Sequence, residues 1–450
     1  MTVTSENPGH GHDGGAGAPL GTDPDRADRG LSEPHAGRSG NHGTDTDTDT
    51  DTDTDTDTDR PFRSVRSWLA RVPEAVRATL PIWIASRVAV ILLSLAASRA
   101  LSGRPIADQP GLRTLWDRWD VGLFTKVARF GYHSPKYTDQ TDVDFPGFPI
   151  AIRVTHLIVG DWTIAGMAVS FIAGAAAVAA IWQLYIDDTS AADASTAGQD
   201  RRNAGFAVLA LLLFPYAVFL CAGYSEAIFL GFATTSWLAA SRQRWWLAGL
   251  LGAGAASTRV TGIPFCLALA VQYVVGRRRA GLPVFARPGP ALALPPLPIL
   301  GFVTYLRVRT GRWDAYAEAM RAGWHRGIDW PWVGWRTTWH SAFETSQSSA
   351  FAWFWRGEVA AVVLGVVLTV LLARSARWGE AAFVGGATLL MSSSTYYASG
   401  IRTMLVAFPM YLLLARVAAR RPWVRPAYIW LCAPVMAVFV VAFTQGQWVD

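Results

Sequence analysis

Lysine is almost absent from this 450-residue chain: Lys126 and Lys136 are the only two among 40 basic residues. The positive charge is therefore nearly all guanidinium, permanently ionised and shaped to hold phosphate or carboxylate in two parallel bonds. Charge of any kind is scarce, at 16% of residues, whereas 51% are hydrophobic. That balance excludes one or two soluble domains of ordinary composition and points to a membrane protein. Cysteine is limited to Cys221, Cys266 and Cys432, all inside apolar runs and without ligand spacing. Neither a disulfide framework nor a zinc site is expected. The P-loop, dinucleotide, GxSxG and HExxH patterns are missing, which removes the usual soluble-cofactor chemistries, so no cofactor is expected. Basic clusters interleaved with aromatics on a polar domain are missing too, and nucleic acid is not an expected partner.

What is present begins with a polar tail. Up to Asp59 the chain carries 14 acidic residues against three arginines and ends in an unbroken Thr-Asp repeat from Thr44. Residues 1–60 are expected to be a disordered cytoplasmic tail. Its histidines, His10, His12, His35 and His42, are scattered as solvated residues are. No apolar run precedes it, so it is not read as a cleavable signal peptide. Beyond it remain 37 basic and 20 acidic residues, a core charge of +17.

Eleven apolar runs follow: 80–101, 163–186, 205–221, 227–240, 245–256, 261–275, 291–308, 359–373, 381–395, 403–416 and 427–443. A span needs about 20 apolar residues, so the shortest of these, 245–256, suggests a short or broken helix. If the runs alternate across the membrane, one set of loops collects Arg201 and Arg202, Arg242 and Arg244, Arg277 to Arg279 with Arg287, Arg374 and Arg377, and the arginines from Arg416 to Arg425. Positive residues stay inside, which puts the N-terminus in the cytoplasm and two long loops, 102–162 and 309–357, on the opposite face. The segment Phe145 to Gly160 is apolar but short and proline-containing, with Arg153 and His156. Counting it as a span inverts every later loop, so it is expected outside, in-plane or re-entrant against protein. The expected architecture is an all-α polytopic bundle of about 11 transmembrane helices with two large outer loops.

Loops this long in a tight bundle usually carry function. The first holds Leu115-Trp116-Asp117-Arg118-Trp119-Asp120; on one helix, Asp117 and Asp120 would share a face. A carboxylate there can accept a proton from an attacking hydroxyl, or Asp117 caps a helix and Asp120 pairs with Arg118 or Arg113. Glu226, in Ala222-Gly223-Tyr224-Ser225-Glu226, is costly in apolar surroundings and needs a partner. Arg259 is the expected one, either as a structural ion pair or free to bind phosphate. Trp324-His325-Arg326 and Tyr396-Tyr397 with Arg402 suit sugar stacking and phosphate binding, and equally a membrane interface. Asp142-Val143-Asp144 has the spacing of a metal-binding DxD, but no metal site is expected there.

Taken together, Arg118-Trp119-Asp120, Phe124, Ala128, Gly131-Tyr132, Phe145-Pro146-Gly147-Phe148-Pro149, Phe219 with Ala222 to Ala227, Arg259 and Gly262 resemble the PIG-V-type mannosyltransferases, which are GT-C glycosyltransferases. The blocks occur in the family's order between about Leu80 and Pro264, with weaker similarity onward to Leu414. The resemblance implies a GT-C membrane domain over 61–450 and a polyprenyl-phosphate-mannose donor used on the non-cytoplasmic face, with inversion at the anomeric carbon. Asp120 matches the family's general base, and Asp117 lies just before the matched block. Arg259, Arg402, His325 and Arg326 would hold the donor phosphate, with Tyr224 and Glu226 in the same donor-binding block. The arginine-rich, lysine-poor composition suggests a GC-rich bacterial chromosome. That favours a plasma-membrane enzyme acting on a cell-envelope glycolipid, lipoglycan, polysaccharide or protein hydroxyl. A transporter or flippase would show inverted repeats and a midplane site, and a noncatalytic scaffold would not depend on these residues.

Cysteine accessibility scanning from either side of the membrane tests the topology. Positions 139 and 327 should label from outside, and positions 200 and 278 only from the cytoplasm.

Overall fold

The computed structural model describes residues 72–101, 103, 105, 108–133, 139–189, 196–344 and 348–449. The Thr-Asp tail with its four histidines, Lys136, and the arginines at 60, 63, 66 and 71 fall outside this set. The described elements are helices: α1 (Glu74–Leu101), α2 (Leu112–Trp116), α3 (Asp120–Phe130), α4 (Gly147–Val159), α5 (Trp162–Thr189), α6 (Ala197–Leu212), α7 (Ser225–Ser241), α8 (Trp245–Ala256), α9 (Gly262–Arg279), α10 (Leu297–Thr310), α11 (Ala315–Trp324), α12 (Pro331–Phe343), α13 (Ser349–Arg374), α14 (Trp378–Ser392), α15 (Gly400–Val406), α16 (Pro409–Arg420) and α17 (Val424–Thr444). Short 3₁₀ turns at Asp139–Val143, Ala217–Leu220 and Gly289–Ala293 join some of them. Among the described residues the only β pairing is an isolated bridge between Ile328 and Ser394.

Each of the eleven apolar runs is largely helical. Among the described residues, five helical stretches are long and apolar enough to cross a membrane: Glu74–Leu101, Trp162–Thr189, Gly289–Thr310, Ala352–Arg374 and Val424–Thr444. A sixth is added if α15 and α16, which meet at a 70° bend, form one broken span. These helices make the chain a helical membrane protein. The segment after Phe145 forms a short helix: α4 has 13 residues, about 20 Å at 1.5 Å per residue, against about 30 Å of hydrocarbon. Ile150, Val154, Leu157 and Ile158 on α4 are exposed, an apolar face left for lipid.

The centre of the bundle is α5 against α7, with α8 on the far side of α7 and α1 against α5. Helices in lipid gain nothing from hiding apolar surface from one another, so they associate through close packing of small residues. At Gly231 of α7 an added Cβ would lie 2.7 Å from the carbonyl oxygen of Ala173 on α5. Aromatic rings fill the remaining space: Trp83, Phe148, Phe219, Phe229, Phe265 and Phe383 are completely buried. A second group, α13 to α15 with α12, packs onto α9 through α14. Helix α12 turns Gly334, Thr338 and Ala342 inward, whereas Trp332, Trp335, Trp339 and Phe343 stay exposed, as in an aromatic interfacial belt.

At the ends of α5, α7 and α9 that point away from Glu226, the aspartates Asp187 and Asp188 tie the bundle. Arg242 bonds to Asp187, and Arg377 and Arg416 both bond to Asp188. Arg377 also bonds to Glu380. Asp187, Asp188, Arg242, Arg377 and Glu380 line a cavity of about 530 Å³ and are paired with one another, a clasp for helix ends.

Replacing Gly231 by Val should cost about 1–3 kcal/mol by overpacking against the α5 backbone. Gly301→Val, where nothing lies within 4 Å of the added Cβ, should leave stability unchanged. Survival of the monodisperse peak after heating in detergent separates the two outcomes.

Candidate functional site

Helix α2 stops at Trp116, and α3 starts at Asp120. Asp117 closes α2 through its backbone N–H to the carbonyl of Arg113 and is exposed. The expectation that Asp117 and Asp120 share a helix face is therefore not met, because the helix breaks between them. The break is made at Trp119, whose φ of +52° is unusual for a bulky residue. Three contacts with the end of α17 hold it. The Trp119 indole N–H donates to the carbonyl of Gln447 at 3.1 Å, its ring meets Trp448 edge to face at 4.7 Å, and Arg118 donates to the carbonyl of Thr444 at 3.2 Å. Asp120 thus begins α3 in a fixed orientation.

From Asp120 a row of alternating charges runs inward. Arg402 Nη1 bonds to Asp120 Oδ2 at 3.2 Å, and Arg402 Nε bonds to Glu226 Oε1 at 2.9 Å. The same Glu226 oxygen is bound by Arg259. Glu226 has no solvent exposure and sits in the first turn of α7, where the helix dipole favours a carboxylate. The guanidinium of Arg402 lies over the rings of Phe219 and Tyr224, at 4.9 and 5.1 Å, an additional cation–π attraction. The Tyr224 hydroxyl accepts the backbone N–H of Asp120 at 3.2 Å. Of these four charged side chains Asp120 is the most open, at 23% exposed.

The block around Gly147 locks this row from another side. Its N–H donates to the carbonyl of Ser257 at 2.7 Å, and a Cβ there would sit 2.2 Å from Ser257 Oγ. Only glycine lets α4 approach the turn that carries Arg259. Phe148 packs edge to face on Phe124, which meets Tyr224 in turn, so the aromatic residues of the sequence blocks form one connected support.

Beyond Arg259 opens a cavity of about 440 Å³, lined mainly by apolar side chains of α9, α10, α11 and α14, such as Ile299, Phe302, Tyr316 and Leu390, and by Phe145 from the turn before α4. Its two cations are Arg259 and Arg326. Arg326 is oriented by a 2.9 Å bond from Nε to Ser394 Oγ. His325 caps α11 with φ +52° and is exposed; it does not line the cavity. Arg402 does not line it either, being engaged with Asp120 and Glu226.

One residue stands out more than its sequence suggests. Asp144 is only 7% exposed, and its Oδ2 has no hydrogen-bond partner. Burial, and next to it the charge of Asp120, push its carboxyl well above the usual range; Asp142 adds to the rise and Arg402 opposes it. Asp142, by contrast, is bound by Arg309. Spacing singled out the pair only as a DxD, and the described residues contain no group of three or more acidic, histidine or cysteine side chains that could hold a metal. Comparison with family models, curated proteins and solved structures finds no match to this chain.

Glu226→Ala should destabilise the protein by about 3–5 kcal/mol, since it takes from Arg259 its carboxylate and leaves Arg402 with Asp120 alone. Asp117→Ala, at an exposed position, should stay within about 0.5 kcal/mol of wild type. Thermal unfolding of the two variants in the same detergent makes the comparison.

Proposed function

We propose that this protein is a membrane glycosyltransferase that moves a sugar, mannose on the sequence resemblance, from a polyprenyl phosphate to a cell-envelope acceptor on the extracytoplasmic face of the plasma membrane. The observation that carries this reading is the apolar cavity between helices with Arg259 and Arg326 on its wall, joined through the ion pairs of Arg259 with Glu226, Glu226 with Arg402 and Arg402 with Asp120 to a partly open aspartate. A lipid phosphate has those two parts, a hydrocarbon chain and an anion that a guanidinium grips bidentately. The about 11-span GT-C bundle with outer loops 102–162 and 309–357 belongs to the same proposal.

In the proposed reaction the acceptor hydroxyl attacks the anomeric carbon and passes its proton to Asp120. The new C–O bond forms on the face opposite the departing phosphate, so configuration inverts. The electron pair of the broken bond stays on the phosphate oxygen, where Arg259 and Arg326 stabilise the growing charge. Arg402 fixes the Asp120 carboxylate, while Glu226 and Tyr224 act behind it: Glu226 anchors both arginines, and Tyr224 holds the first turn of α3. Placing His325 and Asp117 outside this set follows from their exposure.

Transfer of radiolabel from polyprenyl-phosphate mannose to membrane lipid, polymer or protein tests the reading. Asp120→Asn should lower the rate by about 10²–10⁴-fold, the usual contribution of a general base. Asp117→Asn should leave it unchanged. Arg326→Ala should weaken use of the donor. Full activity in Asp120→Asn would remove Asp120 from its role, and transfer by no membrane, wild type included, would remove the function.

A further inference from the structure

The run Arg259-Val260-Thr261-Gly262-Ile263-Pro264 turns the chain from α8 into α9 and leaves one hydroxyl unspent. Thr261 stands at the N-cap position of α9. A threonine there ordinarily accepts the N–H of the second or third helical residue. The third is Pro264, which has no N–H, and the N–H of the second, Ile263, donates to the carbonyl of Val260 at 3.0 Å. The backbone of Thr261 is helical rather than extended, with φ −63° and ψ −9°, and its side chain makes no cap. Gly262 fixes this geometry. A Cβ there would lie 2.5 Å from Cα of Ala256, so the turn closes tightly on the end of α8.

That hydroxyl belongs to the wall of the apolar cavity. Thr261 is 3% exposed, and its Oγ1 finds no hydrogen-bond partner among the described residues. It lines the cavity together with Arg259, two residues before it, and Arg326. Other hydroxyls of the same wall are engaged: Ser394 accepts Arg326 Nε at 2.9 Å, and Thr403 donates to the carbonyl of Ser399 at 2.8 Å. A buried hydroxyl without a partner costs stability, and a valine of the same shape would avoid that cost. The hydroxyl lies at the positive end of an 18-residue helix with no acidic residue in its first turn, where the dipole favours an anion. Ile263, next in the same turn, lines the cavity and is also exposed, so the apolar wall continues to the outside of the bundle.

We propose that Thr261 is a phosphate ligand, donating its O–H to an oxygen of a lipid phosphate whose anion rests against Arg259 and Arg326 at the start of α9. This rests on the glycosyl-transfer reading for the ligand. Two guanidiniums on long side chains attract an anion over a range of positions. A hydroxyl on a short side chain, held by a tight turn, reaches a phosphate oxygen at one of them. No bond to Thr261 forms or breaks in the reaction: it keeps its proton, and its hydrogen bond strengthens as charge gathers on the leaving phosphate.

A hydroxyl kept for the fold and one kept for a ligand respond in opposite ways to Thr261→Val. In the first case the empty protein loses a stabilising bond and unfolds at lower temperature. In the second the empty protein loses only a buried polar group, so it is no less stable, and the loss falls on phosphate binding. Thr261→Ser keeps the donor and should behave as wild type.

The test measures the affinity of full-length wild type, Thr261→Ser and Thr261→Val for farnesyl phosphate, for farnesol and for inorganic phosphate, together with the unfolding temperature of each protein without ligand. Wild type and Thr261→Ser should bind farnesyl phosphate alike, and Thr261→Val about tenfold more weakly, the usual loss of a hydrogen bond to a charged group. Farnesol, which lacks the anion, should bind equally to all three. Inorganic phosphate, which lacks the chain, should bind more weakly than farnesyl phosphate to wild type. Thr261→Val should unfold at no lower a temperature than wild type. Farnesyl phosphate binding unchanged in Thr261→Val, an equal loss for farnesol, inorganic phosphate binding as tightly as farnesyl phosphate, a fall in unfolding temperature of the empty Thr261→Val protein, or no binding of farnesyl phosphate by wild type each overturns the proposal. These readouts need no turnover. A protein that binds in the expected pattern but transfers no sugar refutes the glycosyltransferase reading and leaves Thr261 as a phosphate ligand, whereas transfer with unchanged binding in Thr261→Val removes Thr261 alone.

Discussion

The buried carboxylate of Glu226 is the constraint on which the centre of this protein depends. A lone ion moved out of water costs several kcal/mol even after relaxation, and Glu226 has no exposure at all. Two guanidiniums offset that cost, Arg259 from the turn between α8 and α9 and Arg402 from α15. Removing either arginine leaves the carboxylate with one cation where it now has two. Elements far apart in the chain are thereby held at the start of α7, and through Arg402 the restraint reaches Asp120 on α3.

The same constraint explains why so many helices near this point are short. A charged row inside a bundle needs its side chains delivered at set angles, and an unbroken helix delivers them only along its own face. Here the chain unwinds before α7, turns between α8 and α9, and enters α15 from Ser399 at φ +62°. Irregular backbone at membrane depth is tolerated only where protein satisfies it. Ser170 bonds to the carbonyl of Ala222 at 2.7 Å, Arg87 reaches that of Ala217 at 3.4 Å, and Glu358 accepts the N–H of Gly400 at 2.7 Å. These bonds from neighbouring helices make the breaks affordable.

Arg259 stands at the boundary between the polar row and the apolar cavity, one end of its guanidinium on Glu226 and its side chain on the cavity wall. On the proposed reading this boundary is where a lipid phosphate rests, its chain among Ile299, Phe302 and Leu390 and its anion against Arg259 and Arg326. Charge developing there meets cations already fixed in place, with little water to screen them.

The sequence by itself determined the class of this protein. Apolar runs with almost no charge have nowhere stable to go but helices in lipid, and every run is largely helical. The pairing of Glu226 with Arg259 was also legible, because a carboxylate in so apolar a stretch must find a cation. Tertiary structure alone decided the rest. Spacing put Asp117 and Asp120 on one face, but tethers from Trp119 and Arg118 to the end of α17 break the helix between them, and no local pattern announces contacts more than 300 residues away. Arg402 reads in the sequence as an arginine for phosphate or for the membrane interface, and only the fold brings it to both Asp120 and Glu226. Asp144 looks like half of an exposed acidic motif until packing buries it. Local sequence fixes periodicity and composition, whereas burial and charge pairing belong to residues that become neighbours only when the chain has folded.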